Sequence, residues 1–251
     1  MSTNNKTTTF SMITGGGSGI GLATALLLGE HGCNLIIVGR NEKKLKNAAS
    51  LIKKRNPSIN VITIARDVGV ENDVKNLFQK LYNDKIKIKH LVLCAGSSQS
   101  RSFAENSTQG FQDDINNNLT STYYCLFYSL PILVENSSVV TISSIRARTG
   151  THTGLGYAAA KAGVISLTKS AAIQLAHRKI RVNSIVPGAV YPTDMTKQWK
   201  QEKIKAISNS IPLERIGKPE DIAKSIWFFL SESSSYITGQ TLDVNGGDWM
   251  D

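Results

Sequence analysis

Seven short apolar runs, separated by segments with helical patterning, constrain this 251-residue chain more than any other feature. The runs are "FSMIT" (10–14), "NLIIVG" (34–39), "NVITIA" (60–65), "HLVLCAG" (90–96), "SVVTIS" (138–143), "IRVNSIV" (180–186) and "QTLDV" (240–244). Most are continuous rather than alternating, as expected of strands covered on both faces. A helix is expected from about 19 to 31. In the next, Leu45, Ala48, Ala49 and Ile52 recur at helical spacing behind Asn41, a natural N-cap. Val74, Leu77, Phe78 and Leu81 mark a third helical face. A long helical region is expected from roughly 109 to 135, with Pro131 marking a kink or an end. "GYAAAKAGVISLTKSAAIQLAHR" is a strong helix, and "PEDIAKSIWFFLS" another, with Pro219 at its start. Strand and helix in alternation predict a Rossmann-like, doubly wound α/β fold, a seven-stranded parallel sheet with helices on both faces. No repeat, low-complexity tract or linker divides the chain. Residues 1–251 therefore read as a single domain, with 1–8 a flexible tail.

Lys and Arg number 29 against 19 Asp and Glu, a net charge of +10. Such a surface favours anionic cofactors, acidic partner proteins or nucleic acid. No dense basic block interleaved with aromatics is present, so no nucleic-acid partner is predicted. Cys33, Cys94 and Cys125 are few, odd in number and far apart. That spacing argues against a disulfide framework and against a C-x-x-C metal or redox site, so no metal is expected. "MSTNNKTTTF" lacks the apolar core of a signal peptide, and no run of about 18 apolar residues spans a membrane. The expected location is the cytoplasm, with no membrane partner. The sequons at Asn106, Asn118 and Asn136 are then chance matches.

The stretch "TGGGSGIG" places five glycines in the seven positions from Gly15 to Gly21. It fits neither G-x-G-x-x-G nor G-x-x-x-x-G-K-[ST]. It does follow the first strand and open the first helix, where ligands of such sheets bind. Glycines there let the backbone turn tightly and approach a pyrophosphate at a helix N-terminus. Taken alone, an ordinary flexible turn is the alternative. The end of the second strand, "VGRNEKK", adds information. An NAD site usually carries Asp or Glu there, about 20 residues beyond the glycines. Here Gly39 and Arg40 occupy the turn. A carboxylate would repel a 2′-phosphate, whereas Arg40 can make paired hydrogen bonds to one. The reading is NADP(H) over NAD(H), with a solvated loop charge as the alternative for Arg40.

In "YAAAK", Tyr157 and Lys161 stand at i and i+4, one turn apart on one helix face. A free tyrosine titrates near 10, too high for acid–base work at neutrality, and an adjacent ammonium pulls that value down. A lone pair of this kind reads as helix surface before it reads as chemistry. Two neighbours favour chemistry. "TISS" puts Ser143 and Ser144 at the carboxyl end of a strand, where a hydroxyl can hold a carbonyl or alcohol oxygen. "INNNL" places Asn118 in a helical region, where burial is costly without hydrogen bonds.

With these residues in hand, the chain resembles the short-chain dehydrogenase/reductase family over about residues 8 to 249. Thr14, Gly15, Gly19 and Gly21 match that family's T-G-x-x-x-G-x-G, and Asn118, Ser144, Tyr157 and Lys161 match its Asn-Ser-Tyr-Lys active site. The resemblance implies a cofactor site built from Gly15, Gly17, Ser18, Gly19, Ile20 and Gly21, with Arg40 beside it. Asp67 and Val68 follow the third strand, and the Asp contacts adenine in the family. Ala95 and Gly96 follow the fourth strand, and Pro187, Gly188, Val190 and Thr193 the sixth. Tyr157 and Lys161 complete the set. Thr193 would meet the nicotinamide carboxamide. Two departures stand out. Leu93-Cys94-Ala95-Gly96 replaces the family's Asn-Asn-Ala-Gly, and "PGAVYPT" is one residue longer than usual between Pro-Gly and Thr.

The resemblance implies hydride transfer between NADP(H) and a carbonyl or alcohol. Tyr157 donates the proton, Ser144 orients the oxygen, Lys161 lowers the Tyr157 pKa and holds the nicotinamide ribose, and Asn118 supports a water linking Lys161 to solvent. "YAAAKAG", "TDMT", "IPLERIGKPEDIA" and "ITGQTLDVNGG" are most similar to 3-oxoacyl-[acyl-carrier-protein] reductases, which implies an acyl-thioester substrate and an acidic carrier partner suited to a basic protein. Arg178 is the basic residue placed to meet that carrier. Sugar, steroid and small-alcohol oxidoreductases share these phrases, and a non-catalytic nucleotide-binding regulator stays open. His152, Leu155, Tyr191, Met195 and Trp199 would shape the substrate pocket. Family members form homotetramers, and Ala171, Ala172 and Leu175 can pack across a two-fold axis or inside the subunit.

Overall fold

The computed structural model describes residues 8–250. The expected tail therefore lies almost wholly outside the described residues. The first half of the fold alternates regularly: β1 (Thr9–Thr14), α1 (Gly19–Glu30), β2 (Asn34–Gly39), α2 (Glu42–Arg55), β3 (Val61–Ala65), α3 (Glu71–Asn83) and β4 (Lys87–Leu93). The second half carries α4 (Thr108–Ile115), a π-helical turn at Asn116–Thr120, α5 (Ser121–Ser129), β5 (Leu133–Ile142), α6 (Arg146–Thr149) and α7 (Leu155–Leu175). It ends with β6 (Arg181–Pro187), α8 (Gln201–Ser210), α9 (Pro219–Leu230) and β7 (Thr241–Val244). The seven strands form one parallel sheet in the order β3-β2-β1-β4-β5-β6-β7. This is the predicted doubly wound fold. The strand order reverses between β1 and β4, so the ligand crevice lies at their carboxyl ends.

Successive strand residues point to opposite faces, and both faces are apolar. Met12, Ile36, Leu91, Val139 and Val182 pack on one side with Phe78 of α3, Leu126 of α5 and Ala172 of α7. Their neighbours Ile13, Ile37, Val92, Val140 and Ile185 pack on the other side with Leu28 of α1, Leu45 of α2 and Ile226 of α9. Asn41 caps α2 as expected, its side chain accepting from the Lys44 N–H at 2.9 Å. Pro219 opens α9.

Two boundaries differ from the sequence reading. The long helical region ends at Ser129, six residues short of Glu135, and β5 begins at Leu133. Pro131 ends the helix rather than kinking it, since its ring cannot continue the hydrogen-bond ladder. Ile132 and Leu133 then sink into the core, and Ile88 N–H donates to the Ile132 carbonyl at 2.9 Å. The strand expected at 90–96 spans 87–93 instead, which frees Cys94, Ala95 and Gly96 for the crevice.

The structure also places four residues around the end of α7. Ala171 and Ala172 are buried and Leu175 packs on the same core, so these residues fill the subunit rather than a two-fold interface. Arg178 is half-buried and donates to the carbonyls of Leu130 (2.9 Å) and Leu133 (2.5 Å). Its fork ties the turn after α7 to the start of β5. Arg178→Ala should lower the unfolding free energy by about 1–3 kcal/mol in urea titrations, because it strands two carbonyls. A loss below about 0.5 kcal/mol, the level of an ordinary surface change, would show that the brace does nothing.

Candidate active site

The glycine loop leaves β1 and enters α1 in a path that side chains would block. Gly15 adopts φ +70°, in the left-handed region, and a Cβ on Gly21 would collide with the Gly15 carbonyl. Glycine at these two positions is therefore required by conformation and by close approach. The loop presents backbone N–H groups at the N-terminus of α1, beside the β1/β4 switch point. A cradle that an added Cβ would fill fits a pyrophosphate.

Thr14, at the end of β1, shapes the neighbouring wall. Its hydroxyl accepts from the backbone N–H groups of both Cys94 and Ala95 at 3.1 Å. The backbone after β4 is thus braced with cysteine in the family's asparagine position, and burial pushes the Cys94 thiol up to about 11. Gly96 lies over the next layer, where a Cβ would come within 2.6 Å of Asn118 Oδ1 and 3.3 Å of Lys161 Nζ.

Asn118 sits fully buried in the π turn between α4 and α5. Its Nδ2 donates to the carbonyls of Ser97 (2.7 Å) and Asp114 (2.9 Å). Its Oδ1 accepts from Ser97 N–H at 3.3 Å. The side chain fastens the loop after β4 to the helix. The two serines ending β5 separate cleanly. Ser143 Oγ donates to the Lys161 carbonyl at 2.7 Å, locking α7 onto the sheet, whereas Ser144 carries a hydrogen bond to Tyr157. Lys161 is buried, and its Nζ donates to the Ile142 carbonyl at 2.8 Å while lying 5.6 Å from the Tyr157 ring centroid. The structure thus brings Asn118, Ser144, Tyr157 and Lys161 to one place.

The electrostatics differ in one respect from expectation. Burial raises the Tyr157 pKa, opposed by the Ser144 hydrogen bond and the Arg146 charge. Lys161, expected to lower Tyr157, is itself pulled down to about 8 by burial. Burial disfavours the charged form of the lysine, and the groups that do oppose the rise of Tyr157 are Ser144 and Arg146.

Two groups here were missed by the sequence reading. Arg146, two residues beyond Ser144, carries the charge just described, and its N–H donates to Ser144 Oγ at 3.2 Å. Asp114 is buried, accepts from the backbone N–H groups of Gln99 and Tyr157, and has its carboxyl raised by burial. Gly156 lets it approach, since a Cβ there would stand 2.9 Å from Asp114 Cβ. The i, i+4 spacing of Asp114 and Asn118 on a helix was the available signal.

At the outer end of the crevice, Arg40 Nη1 faces Asp67 Oδ2 at 3.9 Å, both exposed. Asp67 Oδ1 accepts from Gly69 N–H at 2.9 Å, and Val68 is buried in the core. Ile20 packs against the core on the other sheet face. Pro187 accepts from Ile145 N–H, Gly188 N–H donates to the Val244 carbonyl, and Val190 is buried. Thr193 lies against Gly19, and its hydroxyl shares a 2.9 Å hydrogen bond with Thr196. Of the expected pocket residues, His152 and Met195 are exposed, and Leu155, Tyr191 and Trp199 are partly buried. A separate cavity of about 580 Å³ beside β7, lined by Pro212, Leu213, Asp243 and Met250 among others, includes none of the four grouped residues.

Comparison with known proteins agrees with this geometry. Residues 15–248 match the family model described as enoyl-(acyl carrier protein) reductase. The chain is 37% identical over 239 residues to the 3-oxoacyl-[acyl-carrier-protein] reductase FabG of Chlamydia pneumoniae, covering 94% of this chain and 95% of that one. A short-chain dehydrogenase/reductase structure from Brucella melitensis, described as a glucose/ribitol dehydrogenase, superposes with a TM-score of 0.91 at 32% identity, over 97% and 98% of the two chains. An NADPH-bound short-chain oxidoreductase from Pseudomonas aeruginosa, described as containing an atypical catalytic center, superposes with a TM-score of 0.90 at 30% identity, over 97% of each. By the family model, the curated relatives and the shared fold, the chain is a member of the short-chain dehydrogenase/reductase family of oxidoreductases.

Proposed function

We propose that the protein reduces a 3-oxoacyl thioester carried on an acyl carrier protein, using NADPH. The observation that carries the reaction class is the grouping of Ser144, Tyr157 and Lys161 at the carboxyl edge beside the glycine cradle. The FabG relatives and the net charge of +10, suited to an acidic carrier, support the substrate. Arg40 at the β2 turn, with no acid at that position, supports the cofactor.

When bound, the dinucleotide supplies the nicotinamide carbon that exchanges hydride. Tyr157 holds the proton that goes to the carbonyl oxygen. Burial keeps the phenol protonated at neutral pH, which suits a donor and the reductive direction. Ser144 orients the same oxygen by hydrogen bond. Lys161, with a pKa of about 8, carries a proton that it can release near neutrality to restore Tyr157, and it is placed to hold the nicotinamide ribose. Asn118 fixes the loop that covers Lys161 and supports the water linking it to solvent. Thr14, Gly15, Gly17, Ser18, Gly19, Ile20 and Gly21 cradle the pyrophosphate. Asp67 and Val68 take the adenine end, and Ala95, Gly96, Pro187, Gly188, Val190 and Thr193 line the nicotinamide side. His152, Leu155, Tyr191, Met195 and Trp199 shape the substrate end.

The proposed assembly is a cytoplasmic homotetramer. Exposed Tyr123 and Phe127 on α5 and Ile173 on α7 offer apolar surface for it. A carbonyl panel that includes acetoacetyl thioesters, sugars and small ketones, followed by NADPH absorbance, tests the substrate. Turnover of the thioester with the highest kcat/KM is expected. NADPH binding without turnover of any substrate would instead indicate a regulator.

Three variants test the parts. Tyr157→Phe should keep NADPH binding and lose turnover by about 10²–10⁴-fold, the scale of general acid catalysis. Arg40→Asp should shift the NADPH/NADH ratio of kcat/KM toward NADH by roughly 10–100-fold, since a charge-assisted hydrogen bond is worth about 1.5–3 kcal/mol. An unchanged ratio would remove Arg40 from cofactor selection. The third test is pH-dependent. Lys161 titrates near 8 when folded and near 10.5 when free. Between those values the unfolded chain binds more protons, so stability rises with pH through that window. Lys161→Met lacks this contribution. In urea unfolding, its stability relative to the wild type should be greatest at pH 7.5 and should fall toward pH 10.5. A pH-independent difference would show that Lys161 is not desolvated.

A further inference from the structure

The segment after β6 lies directly on the phosphate cradle. Asp194 Oδ2 accepts from Ser18 Oγ at 2.9 Å and from Lys44 Nζ at 2.5 Å. Its Oδ1 accepts from Lys197 Nζ at 3.1 Å. Ser18 is the N-cap of α1, and its side chain makes no capping bond of its own to that helix. Lys44 comes from the first turn of α2, where Gly17 allows close approach: a Cβ on Gly17 would stand 3.3 Å from Lys44 Cβ. The neighbouring Thr193 closes on the loop as well, since a Cβ on Gly19 would lie 3.3 Å from Thr193 Cβ. Even a methyl group would be tight between the two segments at Gly19.

We propose that Asp194 is an internal occupant of the dinucleotide's anion seat, holding the segment 193–197 over the cradle until a phosphate of the cofactor displaces it, and that Lys44 then pairs with that phosphate. A carboxylate held by a hydroxyl and an ammonium has the same partners that a phosphate oxygen would take. The partners hold Asp194 well: its carboxyl is pulled down to about 2, chiefly by Lys44. The groups facing it are Ser18 from the glycine loop, Lys44 from α2 and Lys197 on its own segment. Both Asp194 and Lys44 are about half-exposed (44% each), so solvent screens the pair and the latch can open. Apparent affinity for the cofactor is reduced by the fraction of molecules in which the latch is closed.

This inference rests on the proposed dinucleotide function of the cradle but not on its preference for NADPH. The test is equilibrium fluorescence titration of the full chain with NADPH and, separately, with NADH. Asp194→Asn removes the charge and keeps the shape. It should tighten binding by about threefold or more, the scale of an exposed ion pair. A gain for both dinucleotides identifies the pyrophosphate as the competitor, and a gain for NADPH alone identifies the 2′-phosphate. Unchanged or weaker binding of both overturns the latch. Adding Lys44→Met to Asp194→Asn isolates the second half. The double variant should bind at least about threefold more weakly than the single one. Equal affinity would overturn the role of Lys44 toward phosphate. Wild-type preference for NADH would refute the NADP(H) reading while leaving the latch standing, provided Asp194→Asn still tightens NADH. Thermal unfolding of each variant checks that the fold is intact.

Discussion

Covering both faces of a parallel sheet leaves only its edges for polar chemistry. In this chain helices bury Met12 and Ile13, Leu91 and Val92, and Val139 and Val140 on opposite faces. Every strand runs the same way, so all carboxyl ends meet along one edge, and right-handed crossovers deliver the helix N-termini to it. That geometry accounts for the gathering of Thr14, Cys94, Ser144 and Pro187, which end or follow four neighbouring strands, although they are far apart in sequence. The site follows from the fold's direction, and its specificity follows from which side chains happen to end each strand.

Placing an ammonium in this edge is costly, and the structure shows how the cost is contained. Lys161 Nζ donates to the Ile142 carbonyl, and the Lys161 backbone carbonyl is tied by Ser143 to the same strand end. The lysine is therefore fixed from both its tip and its main chain. Its position is closed above by Gly96, where a methyl group would press on both Nζ and Asn118 Oδ1. Asn118 in turn has its amide donors engaged by two carbonyls, which is what makes a buried asparagine in a helix tolerable. The π turn is the local consequence: one extra residue in the helix aims Asn118 inward and spaces the ladder. Burial then does the electrostatic tuning, raising Tyr157 and lowering Lys161, so that the two move apart and each favours its neutral form.

Much of this was legible in the sequence because the signals were local. The strand runs are apolar on both faces, Asn41 announces α2, and Tyr157 and Lys161 share a helix face by spacing alone. What sequence spacing does not contain are contacts between distant segments. Asp114 reads as one acid in a polar helix, yet Gly156 lets it reach the backbone at the start of α7. Arg178 reads as a free cation at a helix end, yet Pro131 turns the chain so that the Leu130 and Leu133 carbonyls face it. Ala171, Ala172 and Leu175 are small or apolar on a long helix, a pattern shared by cores and interfaces. The helix boundary at Ser129 failed for a similar reason. Pro131 stops the ladder, and the tertiary pairing of Leu133 with Ile88 turns the residues beyond it into β5.

The same pairing of distant segments bears on how a protein of net charge +10 handles an anionic ligand. Its cations at the dinucleotide end are not bare. Arg40 faces Asp67, and Lys44 faces Asp194. Each pair is exposed enough to be worth little in stability, and an incoming anion must displace the local acid. A singly charged anion gains little by replacing a carboxylate that is already in place and covalently attached, because the exchange of partners is nearly even. A group carrying close to two charges and several acceptor oxygens gains both in Coulomb attraction and in the number of hydrogen bonds. On the proposed dinucleotide reading, a phosphate at this end therefore takes over partners that the chain already supplies to its own acids, Lys44 from Asp194 and Arg40 from Asp67.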